Sequence, residues 1–174
     1  MNAKLILLAL STFAAACSTS GQVAVQPSAP ASACTGGFAR GDAELERYAG
    51  CTVIAGDLVL EGVTTVEPLS ALERVDGTLG IRQTHALYSL SGLEHLRRVG
   101  ELRLEGNRTL ISARALNGLV AARSVLVAGN PRLSKSFGLF EQLATDPSAI
   151  RLEKNAGLSA EGLGALDRRA VSAL

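Results

Sequence analysis

Five short apolar pairs recur along this chain at a nearly constant interval, a little over twenty residues each time: Leu58 with Leu60, Leu79 with Ile81, Leu102 with Leu104, Val125 with Val127, and Ile150 with Leu152. Within each pair the residues lie two apart, the spacing that turns both side chains to one face of an extended strand and the residue between them to the other. A strand this short cannot bury its apolar face alone. A fixed period of roughly 20 to 50 residues marks chains that solve the problem by stacking one coil on the next. Between the pairs, apolar residues come three apart, as in Leu69, Leu72, Val75 and in Leu87, Leu90, Leu93, Leu96, Val99, with a looser version in Leu110, Leu116 and Leu119. That spacing suits a tight turn or short helical segment returning the chain to the next strand. The expected fold class is mainly β with short helices: a parallel solenoid of about five coils over one leucine core. The step from Val75 to Val99 is one position longer than the step from Leu79 to Leu102, which implies a one-residue difference in turn length.

Asn107, Asn130 and Asn155 keep nearly the same interval, and each follows such a pair. An asparagine at a solenoid corner can satisfy backbone groups of the neighbouring coil that would otherwise be buried unpaired. This structural reading outweighs the glycosylation sequon spelled by Asn107-Arg108-Thr109. Ahead of the first pair, Gly41 to Gly50 reads as a short helix, with Asp42 capping its first turn, Gly50 ending its last, and Leu45, Tyr48 and Ala49 on one face. We expect it to form an N-terminal helical cap over the open end of the core.

The chain opens with one cation, Lys4, then the apolar run Leu5-Ile6-Leu7-Leu8-Ala9-Leu10, which breaks at Ser11 and Thr12. This is the architecture of an export signal. It is shorter than the roughly 20 apolar residues that span a bilayer. Ala14-Ala15-Ala16-Cys17 then resembles the lipobox of bacterial lipoproteins, with Ala14 where leucine is usual. The resemblance implies cleavage before Cys17 and lipidation of its thiol, hence attachment to a membrane, with Ser18 favouring the outer one. An ordinary secretory signal cut at Ala-x-Ala is the alternative. If Cys17 carries lipid, Cys34 and Cys51 remain as an even pair that could form a disulfide in an oxidising compartment. The expected organisation is a lipoprotein signal peptide at 1–16, a lipidated cysteine and Ser/Ala/Pro-rich tether at 17–33, and the solenoid at 34–174.

The stretch from Cys34 to Leu60 resembles the opening of a receptor L-domain, the module of insulin-receptor and epidermal-growth-factor-receptor ectodomains. Its mark is a first cysteine paired with a second that begins the lead-in Cys51-Thr52-Val53-Ile54-Ala55-Gly56-Asp57-Leu58. Leu93 to Leu104 and Leu116 to Asn130 repeat the family's leucine, valine and glycine rhythm. The resemblance implies a short right-handed parallel β-helix related to leucine-rich-repeat solenoids, which presents its sheet face to ligands. The chain departs from the pattern in having no cysteine-rich module after the domain and an irregular coil around Phe137 to Asp146.

Catalytic chemistry is not in view. The only imidazoles, His85 and His95, lack ligand spacing and read as solvated surface residues, and the paired arginines Arg97-Arg98 and Arg168-Arg169 read as solvated faces. Loss of Lys4 leaves 16 basic and 16 acidic residues, so no net basic charge favours nucleic acid. No enzyme activity, cofactor or metal is expected. The outward strand positions hold the candidate site: Val59, Gly80, Arg103, Leu126 and Arg151 in one column, with Glu61, Arg82, Glu105, Ala128 and Glu153 beside it. Of these, Arg82, Arg103, Glu105, Leu126, Arg151 and Glu153 are the candidate contacts for another envelope or extracellular protein, with Leu126 expected to be exposed. The competing reading is that Arg82, Glu105 and Arg151 only pair across neighbouring strands. At the level of the whole protein, the rival is a structural envelope component with no discrete ligand.

Overall fold

The computed structural model describes residues 32–134, 142–144 and 149–158. Residues 1–31, with Cys17 and nearly all of the tether, lie outside the described residues, as do most of the coil from Phe137 to Asp146 and the pair Arg168-Arg169. Six strands form one parallel sheet in chain order: β1 (Ala33–Arg40), β2 (Val53–Glu61), β3 (Arg74–Arg82), β4 (Arg98–Glu105), β5 (Ala121–Ala128) and β6 (Ile150–Glu153). Consecutive strands are always neighbours, so every connection carries the chain back to start the next strand beside the last. That is the path of a solenoid.

All ten residues of the five apolar pairs are buried, and so are the leucines spaced three apart between them. Together they make one continuous core. The connections are tight: 3-10 turns at Glu67–Leu69 and Arg114–Gly118, with Val75 and Val99 serving as the first inward residues of β3 and β4. The one-residue discrepancy lies where the spacing put it, as a register shift between Val75 and Thr78 in the β3–β4 pairing. The backbones close in at this point. A Cβ on Gly100 would stand 2.6 Å from the carbonyl oxygens of both Asp76 and Gly77, so only glycine fits there.

Every strand ends in the same corner. The first residue after it adopts a positive φ: Gly41, Gly62, Gly106 and Gly129 at 65° to 77°, and Gln83 and Lys154 at 52° and 54°. The left-handed turn frees the amide to cross to the next coil, and the amides of Gly41, Gln83, Gly106 and Gly129 each donate at 2.9 Å to the last carbonyl of the following strand. The next residue inward carries the asparagine ladder. Asn107, Asn130 and Asn155 are buried, and the Oδ1 of Asn130 accepts from the amide of Asn107 as the Oδ1 of Asn155 does from that of Asn130, both at 3.0 Å. Their Nδ2 groups reach back to the carbonyls of Ile81, Leu104 and Val127 at 2.9, 2.9 and 2.7 Å. Thr84 is a member that residue type hides, although it precedes Asn107 by the same interval that separates Asn107 from Asn130. It begins the ladder, its amide and hydroxyl both donating to the Oδ1 of Asn107 at 3.2 and 2.9 Å.

Two expectations at the N-terminal end need correction. The segment after β1 is one helical turn, α1 (Asp42–Leu45), followed by a 3-10 turn at Glu46–Tyr48; Leu45 and Tyr48 are buried but Ala49 is exposed. Asp42 does not cap it. Gly41 holds that position, and the Asp42 carboxylate accepts from the amide of Thr64 at 2.8 Å and from its hydroxyl. Burial raises the Asp42 pKa, but the hydrogen bonds from Thr64 and the Thr65 backbone outweigh it and leave the carboxyl below its ordinary value.

Strand β1 itself has no counterpart in the apolar repeat. The cystine Cys34–Cys51, with Cα atoms 5.9 Å apart, joins it to the lead-in of β2. Its outer edge is occupied by side chains from the segment that follows: the Arg47 guanidinium donates to the Phe38 carbonyl, and Glu44 accepts from the Arg40 amide at 2.8 Å. These contacts occupy groups that another chain could otherwise pair with.

Candidate binding face

The outward side chains of the sheet fall into the columns read from the sequence. Register pairing aligns Phe38, Val59, Gly80, Arg103, Leu126 and Arg151 in one, and Arg40, Glu61, Arg82, Glu105, Ala128 and Glu153 in the other. Phe38 and Arg40 join the columns because β1 does, and the sequence reading lacks all three. The available signal is Gly41, which precedes Gly62 by the same interval that separates Leu58 from Leu79 and marks the same corner.

The charged positions do not behave alike. Arg82 pairs across to Glu61 at 3.6 Å, and its guanidinium also lies 5.2 Å from the centre of the Phe38 ring, which Arg40 approaches at 4.8 Å. Arg103 is held on its own strand, between Glu101 at 3.1 Å and Glu105 at 3.8 Å. Arg151 and Glu153 make no ion pair among the described residues. Cross-strand pairing therefore accounts for Arg82, while Glu105 is paired along the strand. Such exposed pairs are worth no more than about 1 kcal/mol each, so a ligand could displace them.

Leu126 is only partly exposed, contrary to expectation. Its register partners Arg103 and Arg151 flank it, and long arginine stems shield a leucine even on an outward face. The three residues, with Glu101, Ser124, Ala128 and Glu153, line a hollow of about 390 Å³. A smaller hollow of about 200 Å³ lies where Gly80 leaves the column open between Val59 and Arg103, rimmed by Asp57, Thr78, Arg82 and Glu105. The face thus offers an apolar floor, a cation without an ion pair among the described residues, and carboxylates on both sides. That combination can hold a protein side chain by burial and by charge.

His85 and His95 are both exposed and far apart in role: His95 places Nδ1 2.8 Å from the Ser70 carbonyl oxygen, while His85 sits in the turn after β3. Arg97 and Arg98 are exposed, and the Arg97 guanidinium donates to the backbone carbonyls of Glu94 and Gly118 at 3.0 and 3.1 Å. No group of three or more His, Cys, Asp or Glu residues placed to hold a metal occurs among the described residues. The family model described as Receptor L domain matches residues 50–158. No curated protein matches the chain.

Proposed function

The chain belongs to the receptor L domain family, a family of non-enzymatic ligand-binding domains, and on that premise we propose that it is a lipid-anchored recognition module binding another protein through its sheet face. The observation that carries the sheet-face reading is the environment of Arg151. It stands beside the half-buried Leu126 at a hollow wide enough for a side chain, with no ion pair of its own among the described residues. An arginine next to an apolar floor is the composition of an interface anchor.

Reversing charge with Arg103→Glu and Arg151→Glu together should lower crosslinking capture of the native partner from intact cells at least ten-fold, with circular dichroism unchanged. Undiminished capture by the folded variant would remove the sheet face from consideration.

The anchor reading rests on Ala14-Ala15-Ala16-Cys17 and on the charge-free Ser/Ala/Pro composition of the residues after it. In this reading residues 1–16 are removed, Cys17 carries the lipid, residues 18–33 form the tether, and the domain faces the periplasm or the cell exterior from the outer membrane. No helix among the described residues is long and apolar enough to cross a membrane. A fatty-acid analogue supplied to growing cells should label the wild-type protein and leave Cys17→Ser unlabelled; equal labelling of the two, or none of the wild type, contradicts the anchor.

A further inference from the structure

Four arginines gather at the edge of the sheet where the strands begin. Arg74 and Arg98 open β3 and β4 and are direct register partners, and Arg97 precedes Arg98. Arg123, from β5, lays its guanidinium over Gly100, with Nη2 2.7 Å from where a Cβ would stand, two residues beyond Arg98. Arg74, Arg97 and Arg98 line a hollow of about 390 Å³ with Val53 and Glu73.

Of these four charges, one is met by a carboxylate in an ion pair among the described residues. Arg74 pairs with Asp76 at 2.8 Å. Arg97 is fixed by backbone carbonyls, which orient it without cancelling its charge. Arg98 and Arg123 make no ion pair among the described residues. Like charges directly opposite each other on adjacent strands destabilise a sheet; Asp76 meets Arg74, and an external anion could meet Arg98 opposite it.

The path of the chain supplies an independent observation. The amides of Thr52 and Val53 both donate to the Ser32 carbonyl, at 3.0 and 3.3 Å; those of Glu73 and Arg74 donate to Thr52, and those of Arg97 and Arg98 to Glu73. One line of backbone corners therefore runs along this edge, and residues 1–31 join it at Ser32, two coils before Arg74.

We propose that this strand-start edge docks on an anionic membrane surface, the guanidiniums of Arg74, Arg98 and Arg123 taking lipid phosphates. A tether fixed at Cys17 would bring this edge toward the bilayer, so the orientation rests on the anchor reading, whereas the charge argument does not. Near an anionic bilayer each arginine contributes roughly a factor of five in binding.

The test uses the whole chain carrying Cys17→Ser, so that no lipid contributes, in co-sedimentation with phosphatidylcholine vesicles with and without phosphatidylglycerol. Neutral vesicles measure what the apolar leader contributes by itself. We expect phosphatidylglycerol to strengthen binding and added salt to reverse the gain. Arg74→Gln, Arg98→Gln and Arg123→Gln together should remove the gain, on the order of 100-fold. A control with the same charge change elsewhere, Arg108→Gln, Arg114→Gln and Arg132→Gln, should retain most of it.

Equal binding to both vesicle types, or equal loss in the two triple variants with both folded by circular dichroism, overturns the proposal. Millimolar inorganic phosphate that abolishes binding, while chloride at matched ionic strength does not, would also overturn it, in favour of a small-anion pocket. Failure of fatty-acid labelling, by contrast, removes the anchor and leaves this result readable.

Discussion

Asn130→Ala is expected to destabilise the domain by about 3 to 5 kcal/mol. Asn130 is fully buried and serves three coils at once. Its Oδ1 takes the Asn107 amide from the coil before, and its Nδ2 donates to the Leu104 carbonyl in that coil and to Oδ1 of Asn155 in the coil after, at 2.9 and 3.1 Å. Truncation strands the Asn107 amide and the Leu104 carbonyl where water does not reach, and each buried group left unpaired costs about 1 to 3 kcal/mol. Threonine should not rescue the site. At the head of the ladder Thr84 only donates to Asn107, whereas an interior member must accept from one coil and donate to another. The measurement is the urea midpoint of unfolding by circular dichroism. A loss under about 1 kcal/mol for Asn130→Ala would mean that the ladder contributes little.

The paired substitution Cys34→Ser and Cys51→Ser should cost about 3 kcal/mol, the chain-entropy value for a crosslink closing a loop of this size. The loss should be uneven. Strand β1 has one neighbouring strand, and only Ala39 among its residues is fully buried. Its amides should therefore exchange much faster with deuterium in the variant while those of β4, flanked on both sides, keep their protection. Uniform acceleration across the sheet would show that the cystine supports the whole domain rather than its first strand.

The legible part of this fold is the part carried by side chains that repeat. Paired apolar residues and recurring asparagines announce strands and corners, and the outward columns follow from alternation alone, so the register of Val59 through Arg151 can be read without coordinates. Strand β1 is not legible, because Thr35-Gly36-Gly37 offers no apolar alternation and a bulge interrupts its pairing with β2 between Thr35 and Gly37. Asp42 reads as a cap because local sequence cannot show that Thr64, one coil onward, competes for the same carboxylate. The shielding of Leu126 depends on what stands in the neighbouring coils. The basic edge is hidden for a similar reason: Arg74, Arg98 and Arg123 stand one coil apart from each other and form no motif, and a chain with balanced charge gives no hint that coiling segregates it.

The side chains that finish β1 bear on how such a chain can change its length. Arg47 and Glu44 hold the outward carbonyl and amide of the first strand, so a further coil placed ahead of it would find those groups already engaged. Between Asn107 and Asn130 the situation is the opposite. A copy of that unit would present the same corner glycine, the same asparagine and the same inward pair to its neighbours on both sides. The described sheet has a fixed first strand and an extensible middle, and duplication within the array is a route by which a longer sheet face could arise without redesigning that first strand.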